Sequence, residues 1–535
     1  MVKVFGAKCI GIDALRVMVE ITIEPGIGVH MVGLCDTAVK ESLLRTITAL
    51  QSIGFRIPGK KIVLNLAPAD LHKNGSGYDL PIAIGILAGS GQIEGSRHER
   101  FMIMGELGLD GSVRDIQGAL PIAELAIKEG FKGLILPINS ALECIDMHET
   151  EIYGVKTLEE VIEIISGSEK ASSYLIWNST EYSSEIKESN VSDYMDFSEV
   201  IGQESAKRGI EIAAAGGHNV IMVGSPGSGK SSLAKAMAGI LPPMSHEESV
   251  STSKIYSVAG KGSLRRGLMR QRPFRSPHYS ASLAAIIGGG GGDYILPGEI
   301  SLAQNGVLFL DEFSLMPKSV IEALRAPLEE RNITISRLRG KVKFPASFML
   351  VAAANPCPCG YFGEGERCTC TPVQRLNHLS RLSGPILDRI DIQLRITSIP
   401  ASLLVNAKKS RSQRETSASV AERVGRAREI QKLRFGSEPI YTNAEMNSRQ
   451  IGSFCPLSEE CNTTIQKIIE KMELSARAFS RIIKLARTIA DLESASDPLL
   501  WTAGGRLKKD AAIHPIRPEH LLEAASFRFL DRQKQ

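Results

Sequence analysis

Apolar residues recur at every second position in 16–23 and again in 61–66, the spacing of strands with one buried face. Between them, 37–53 changes to a helical period, with Ala38, Leu43, Leu44, Ile47 and Leu50 on one apolar side. The stretches 80–88 and 119–128 read as further helices, so residues 1–165 are predicted to form an α+β domain. From 166 to 196 the periodicity gives way to serine and charge, which reads as a linker that lets the first domain move. Residues 197–395 return to order: 220–224, 306–313 and 346–355 are short apolar runs of the kind found in buried strands, and 233–240 follows the first as an alanine-rich helix. Residues 396–535 form a helical C-terminal domain in which 474–492 opens on Ser475 as a cap. Its apolar side is Phe479, Ile482, Ile483, Leu485 and Ile489.

Two insertions break the strand pattern. Five consecutive glycines, 288–292, predict a mobile loop rather than core. The alternating stretch 332–344 predicts a hairpin turning at Gly340, with Arg337, Arg339, Lys341 and Lys343 near its tip. Those charges suit a phosphate backbone, or equally a solvated edge that blocks strand pairing. The same two readings apply to 408–434, where nine basic residues face three acidic ones.

Composition changes the picture little. Over 535 residues the formal charge is only +4, so any nucleic-acid contact must come from local patches. No apolar run approaches a membrane span, and the first twenty residues lack the apolar core of a signal peptide, so no membrane association is expected. Nine cysteines, five of them isolated, suit a reducing, cytoplasmic compartment.

The candidate chemistry centres on 220–232. Gly224, Ser225, Pro226, Gly227, Ser228, Gly229, Lys230, Ser231 and Ser232 follow a buried strand and open a helix, satisfying the G-x-x-x-x-G-K-[ST] phosphate-binding loop. The glycines let backbone N–H groups turn toward phosphate oxygens, Lys230 reaches the β- and γ-phosphates, and the Ser231 hydroxyl holds Mg2+. ATP with Mg2+ is therefore the expected cofactor. Asp311 ends the next apolar run and is suited to the magnesium shell; the adjacent Glu312 is suited to polarise the attacking water. Cys357, Cys359, Cys368 and Cys370 form C-x-C-x8-C-x-C, four thiolates that suffice for a tetrahedral structural Zn2+, with free thiols on an ordered loop as the alternative.

The runs 67–81 and 104–113 resemble the proteolytic domain of Lon-type proteases, a family that uses a serine–lysine pair. Here Gly77 stands at the nucleophile position and Leu120 at the lysine position, with Ser76 one residue away. The resemblance therefore implies a fold used as scaffold or binding surface, without peptidase activity. The phosphate loop, RPFRSPHYSAS at 272–282, the glycine run, PGEISLAQNGVLFLDEF at 297–313, AAANPCPCG at 352–360 and SGPILDRID at 383–391, in that order, resemble the magnesium-chelatase-related AAA+ ATPases, within them the ComM subfamily.

The resemblance implies a P-loop α/β core with a helical lid behind a Lon-like domain, and a homo-oligomeric ring, in this subfamily a hexamer. It implies ATP-driven movement on single-stranded or branched DNA, aiding branch migration. It also assigns Asn355 as sensor 1, Arg389 as a finger acting on the neighbouring subunit's γ-phosphate with Arg325 as second candidate, and Arg477 as sensor 2 with Arg481 as runner-up. A local ion pair of Arg389 with Asp388 or Asp391 is the bland alternative. One departure is visible, His278-Tyr279 where the family shows two histidines. A protein-remodelling chaperone of the chelatase type and a slow nucleotide switch are the competing functions.

Overall fold

The computed structural model describes residues 1–32, 37–69, 75–93, 97–178, 194–262, 266–290, 295–337, 340–382, 384–399, 414–502, 504–508 and 513–530. The alternating stretches build a mixed seven-stranded sheet from β1 (Val2–Ile10), β2 (Asp13–Glu24), β3 (Val29–Val32), β4 (Lys61–Ala67), β5 (Phe101–Ile103), β6 (Gly133–Pro137) and β7 (Glu151–Val155), ordered β3-β4-β2-β1-β5-β6-β7. Three helices pack with it: α1 (Thr37–Ser52), α2 (Asp79–Gly89) and α3 (Ala119–Lys128). Gly85 lets α2 sit close on β2, since a Cβ there would lie 2.4 Å from Ile21 Cδ1.

The apolar side expected for α1 is only partly buried. Leu50 is in the core, but Leu44 is 69% exposed, and the side chain of Ala38 lies outside the described residues. The buried side is polar because it is organised on Asp79: Ser42 and Arg45 donate to its carboxylate and Thr46 Oγ1 donates to its carbonyl. Leu120 is buried, and Ser76 donates to Glu106. The serine-rich stretch begins packed rather than loose, with Leu175 bridged to Tyr153 and Trp177 Nε1 donating to the Ile145 carbonyl; 179–193 lies outside the described residues.

The second sheet has five parallel strands. Helix α4 (Glu204–Gly216) precedes β8 (Val220–Gly224), then α5 (Lys230–Ala238) and α6 (His246–Val258) lead to β9 (Phe274–Arg275) and β10 (Val307–Leu310). A hairpin, β11 (Asn332–Arg337) and β12 (Gly340–Pro345), is followed by β13 (Met349–Ala354), helix α7 (Pro372–Leu379) and β14 (Ile392–Ile396). The order is β9-β10-β13-β8-β14. Both faces are covered: Val220, Met222, Val351 and Leu394 face one core, while Ile221, Val223, Leu308 and Leu350 face another. Hence the apolar runs are continuous rather than alternating.

The glycine run is not wholly loop. Gly288–Gly289 pair with Leu296–Pro297, and the approach is close enough that a Cβ on Gly298 would lie 2.3 Å from Gly288 N. Gly291 and Gly292 lie outside the described residues, as do Leu338 and Arg339 at the hairpin tip and the side chain of Arg337. Lys341 and Lys343 are exposed, opposite the buried Val342 and Phe344. The first domain abuts this hairpin, with Gly11 against Val342, and α6, where Lys254 pairs with Glu124 and the Ser257 carbonyl accepts from Gly118 N at 3.1 Å.

The C-terminal part is helical: α8 (Ser417–Phe435), α9 (Glu459–Met472), α10 (Ala476–Ser496) and α11 (Pro518–Ser526). Ser475 caps α10, accepting from Ala478 N at 3.3 Å, and Ile482, Ile483, Leu485 and Ile489 are buried. The other side of α10 carries a buried polar group that hydrophobic periodicity does not reveal, in which Asp491 accepts from Arg434, Arg487 and Asn443.

Of the two readings of 408–434, a phosphate track or a solvated helix face, neither describes the four arginines that follow. Residues 408–413 lie outside the described set, and Arg414, Arg423, Arg428 and Arg434 bond to Ser198, Glu211, the Ala214 carbonyl and Asp491. Arg414, Arg423 and Arg428 tie this segment to the core, and Arg434 ties α8 to α10. Among the described residues no helix is long and apolar enough to cross a membrane.

Candidate nucleotide site

Because β8, β10 and β13 are parallel neighbours, their carboxyl ends lie together on one edge, where open α/β sheets bind ligands. From that edge project the phosphate loop after β8, Asp311 and Glu312 after β10, and Asn355 after β13. Gly224 has to be glycine because β14 passes beside it, and a Cβ would lie 2.3 Å from the Ile396 carbonyl oxygen. Gly227 and Gly229 are glycines for a different reason, adopting left-handed φ of 74° and 94° that turn the loop into the start of α5.

The lysine is held by its own loop. Lys230 Nζ donates to the carbonyls of Gly224 at 2.8 Å and Ser225 at 2.7 Å, and lies 3.4 Å from Asn355 Oδ1. Burial lowers its pKa, opposed by Asp311, Glu312 and Glu364. Ser231 Oγ donates to Asp311 Oδ2 at 3.0 Å, bringing together a hydroxyl and a carboxylate, the hard oxygen pair that suits Mg2+. Asp311 Oδ1 accepts from the Glu312 backbone N–H at 2.8 Å, and Glu312 itself adopts a left-handed φ of 48°. A non-glycine residue in that region is strained, and such strain clusters at functional sites.

Ser225 and Ser228 turn their side chains to the protein: Ser228 Oγ donates to the Ser225 carbonyl at 2.8 Å, and Ser225 Oγ donates to Glu364 at 2.5 Å. Both hydroxyls are therefore committed within the protein, and the Ser228 backbone N–H also donates to the Ser225 carbonyl at 3.3 Å. Pro226 and Gly227 are exposed at the loop's crest, and Ser232 is half-buried in the first turn of α5.

The two candidate arginines converge elsewhere. Arg389 is 6% exposed, with Nη2 paired to Glu329 and Nη1 donating to the Pro385 carbonyl at 2.7 Å. Its partner is thus Glu329, not Asp388 or Asp391. Arg477 is 62% exposed and reaches the same Glu329 at 3.9 Å. Arg481 instead pairs with buried Asp391, whose carboxyl stays far below the usual range because Arg481 and His218 outweigh its burial. Arg325 pairs with Glu322 at 2.8 Å.

The four thiols of Cys357, Cys359, Cys368 and Cys370 lie within 4.8 Å of one another. Among Cys357, Cys359 and Cys368 the Sγ–Sγ distances of 3.3, 3.8 and 3.7 Å lie at or below the roughly 3.8 Å edge of a zinc tetrathiolate with Zn–S bonds of about 2.3 Å. All four are free of disulfides. The Tyr361 backbone N–H, with the neighbouring thiols, lowers Cys359 to about 6, while burial and the same neighbouring thiols raise Cys368 and push Cys370 up to about 11. The residues fit zinc.

Two contacts escape the sequence reading. His378 Nε2 lies 3.0 Å from the Asn355 carbonyl, bracing the end of β13. Glu364, inside the cysteine loop, reaches the phosphate loop at Ser225. Nothing in local periodicity marks either; both depend on how the cysteine loop folds back.

The profile of the magnesium chelatase ChlI subunit matches residues 196–404, a second ChlI profile matches 19–140, and the ChlI C-terminal profile matches 414–500. The chain is 41% identical to the competence protein ComM of Haemophilus influenzae over 92% of its own length and 93% of that protein. It is 39% identical to the uncharacterized protein YifB of Salmonella typhimurium, and 40% to YifB of Escherichia coli, each over 98% of this chain and 96% of the relative. A phosphate loop, an acidic strand end and an asparagine strand end on one sheet edge agree with these matches: the chain belongs to the magnesium chelatase ChlI family of AAA ATPases, beside ComM and YifB.

Proposed function

We infer that the protein is a ring-forming motor, a hexamer of identical subunits, that hydrolyses ATP to move on or remodel single-stranded or branched DNA, as in branch migration during recombination. The observation that carries the ATPase part is the convergence of Lys230, Ser231, Asp311 and Asn355 on one sheet edge. ATP lies with its phosphates against the backbone N–H groups of 225–231, Lys230 neutralising the β- and γ-oxygens. Bound Mg2+ supplies charge neutralisation at the phosphates, and Ser231 and Asp311 are the residues that hold it. Glu312 takes the proton of the attacking water while Asn355 orients it. Arg389 of the neighbouring subunit stabilises the charge that develops on the γ-phosphate, and Arg477 reports nucleotide state to the lid. The cysteine cluster holds a structural zinc.

The DNA part rests on two supports, the exposed Lys341 and Lys343 on a hairpin and the competence protein among the relatives. A second reading, a motor that remodels a protein client, draws on the magnesium chelatase profiles. ATPase rates measured with no DNA, single-stranded, forked and four-way-junction DNA separate the two, with Lys230→Ala as the blank. Strong stimulation that weakens with salt is the expected result. An unchanged rate on every DNA sinks the DNA motor.

A further inference from the structure

The cysteine loop does more than sit beside the site. Gly360, directly after Cys359, packs on the phosphate loop so closely that a Cβ there would lie 2.7 Å from Pro226 Cδ. Its left-handed φ of 86° is the turn that brings the following residues onto that surface. Four residues on, Glu364 accepts from Ser225 Oγ and is also hydrogen-bonded to Ser398, just past the end of β14. Those two hydroxyls hold its carboxyl below the usual range, so it remains an ionised acceptor at neutral pH.

Ser225 is the hub of the phosphate loop. Its carbonyl accepts both Lys230 Nζ and Ser228 Oγ, so anything that fixes Ser225 fixes the lysine and the crest of the loop with it. Glu364 is the side chain that does so from outside. Glu364 in turn has no helix or strand of its own; it lies in the eight-residue span between Cys359 and Cys368, whose ends are tied by the four thiols.

Building on the zinc reading of that cluster, we propose that the metal-loaded cysteine knuckle clamps Glu364 onto Ser225 and thereby sets the nucleotide affinity of the phosphate loop. Glu364 is then a positioning residue of the nucleotide site. The metal is a structural ligand whose loading is thermodynamically linked to nucleotide binding. The knuckle reports in the reverse direction too: a ligand that orders the loop must tighten the metal by the same factor.

The test uses the full chain, zinc-loaded or stripped by a chelator, with binding of a fluorescent ADP read by anisotropy in the absence of DNA. Zinc-loaded protein is expected to bind ADP roughly tenfold more tightly than stripped protein, the scale of one charge-assisted hydrogen bond. Zinc affinity, read by competition with a chromogenic chelator, should rise by the same factor when ADP is present. Because stripped protein could lose its fold, Glu364→Ala supplies a second arm with all four thiols retained. It should bind one zinc per chain, bind ADP as weakly as stripped protein, and show no effect of ADP on zinc affinity. Glu364→Gln, which keeps an acceptor for Ser225, should recover part of the coupling. Absence of stoichiometric zinc, equal or weaker ADP binding in the loaded protein, or full coupling in Glu364→Ala overturns the proposal. Since no DNA is present, such a failure leaves the DNA motor standing, and failure of DNA stimulation leaves this coupling standing.

Discussion

Arg389 and Glu329 form an ion pair within one chain, with the arginine almost wholly buried and the glutamate about half exposed. A guanidinium held this way serves a neighbour's γ-phosphate only by leaving Glu329, an exchange that subunit contact and a bound triphosphate would drive. Mixing two inactive variants tests the trans role. In a mixed ring, the intact pocket of an Arg389→Ala subunit can receive Arg389 from a Lys230→Ala neighbour, so ATPase activity should return to a measurable fraction of wild type. Each variant alone should be down by about 10³-fold or more. If the mixture is as inactive as its parts, Arg389 acts within its own subunit or only structurally.

Arg477 and Arg481 lie one helical turn apart on α10 and are predicted to fail in different ways. Arg481 pairs with Asp391, which is 3% exposed and otherwise leans on the Asn219 backbone N–H, on Lys484 and on His218, itself pushed toward the neutral form by burial. Arg481→Ala leaves a buried carboxylate without its cation and should cost about 3–5 kcal/mol of stability. Arg477 is exposed and touches only the edge of Glu329, so Arg477→Ala should shift stability by no more than about 0.5 kcal/mol while lowering turnover. Thermal melts alongside ATPase assays separate these outcomes. A melt of Arg481→Ala coincident with wild type would show that its pair with Asp391 contributes nothing to stability.

The site's nearest parts were readable because the chemistry is local in the chain. A phosphate loop needs its glycines, lysine and serine at fixed spacing, and acids or amides that end buried strands stand out against apolar runs. What could not be read is what long-range packing decides. Leu44 sits on the helical side assigned to the core, yet the position is exposed because Asp79 draws Ser42, Arg45 and Thr46 inward instead. The basic stretch 408–434 looks like a surface for phosphates, but charge counting cannot see Glu211, Asp491 or the Ala214 carbonyl waiting in the core and on α10. Arg389 stands beside Asp388 and Asp391 in sequence, yet its partner is Glu329, 60 positions upstream.

Glu143 makes the junction between the first domain and α6 sensitive to pH. It is 3% exposed, one carboxylate oxygen has no hydrogen-bond partner among the described residues, and a Cβ on Gly262 would lie 2.3 Å from it. Burial raises its pKa to about 7, with Asp115 adding to the rise and the Ser257 hydroxyl opposing it. The folded chain therefore keeps a proton that the unfolded chain gives up near its ordinary value of 4.5. Below that pH both states are protonated and the group is neutral to stability. As pH rises toward 7 the folded state increasingly carries the cost, which reaches about 3 kcal/mol and is constant above. Glu143→Gln removes the titration while keeping the shape. It should unfold with wild type at pH 5 and be more stable than wild type at pH 8, with most of the divergence between those values. Denaturant unfolding across that range checks this, and a gap that does not change with pH would show that Glu143 is not the titrating group.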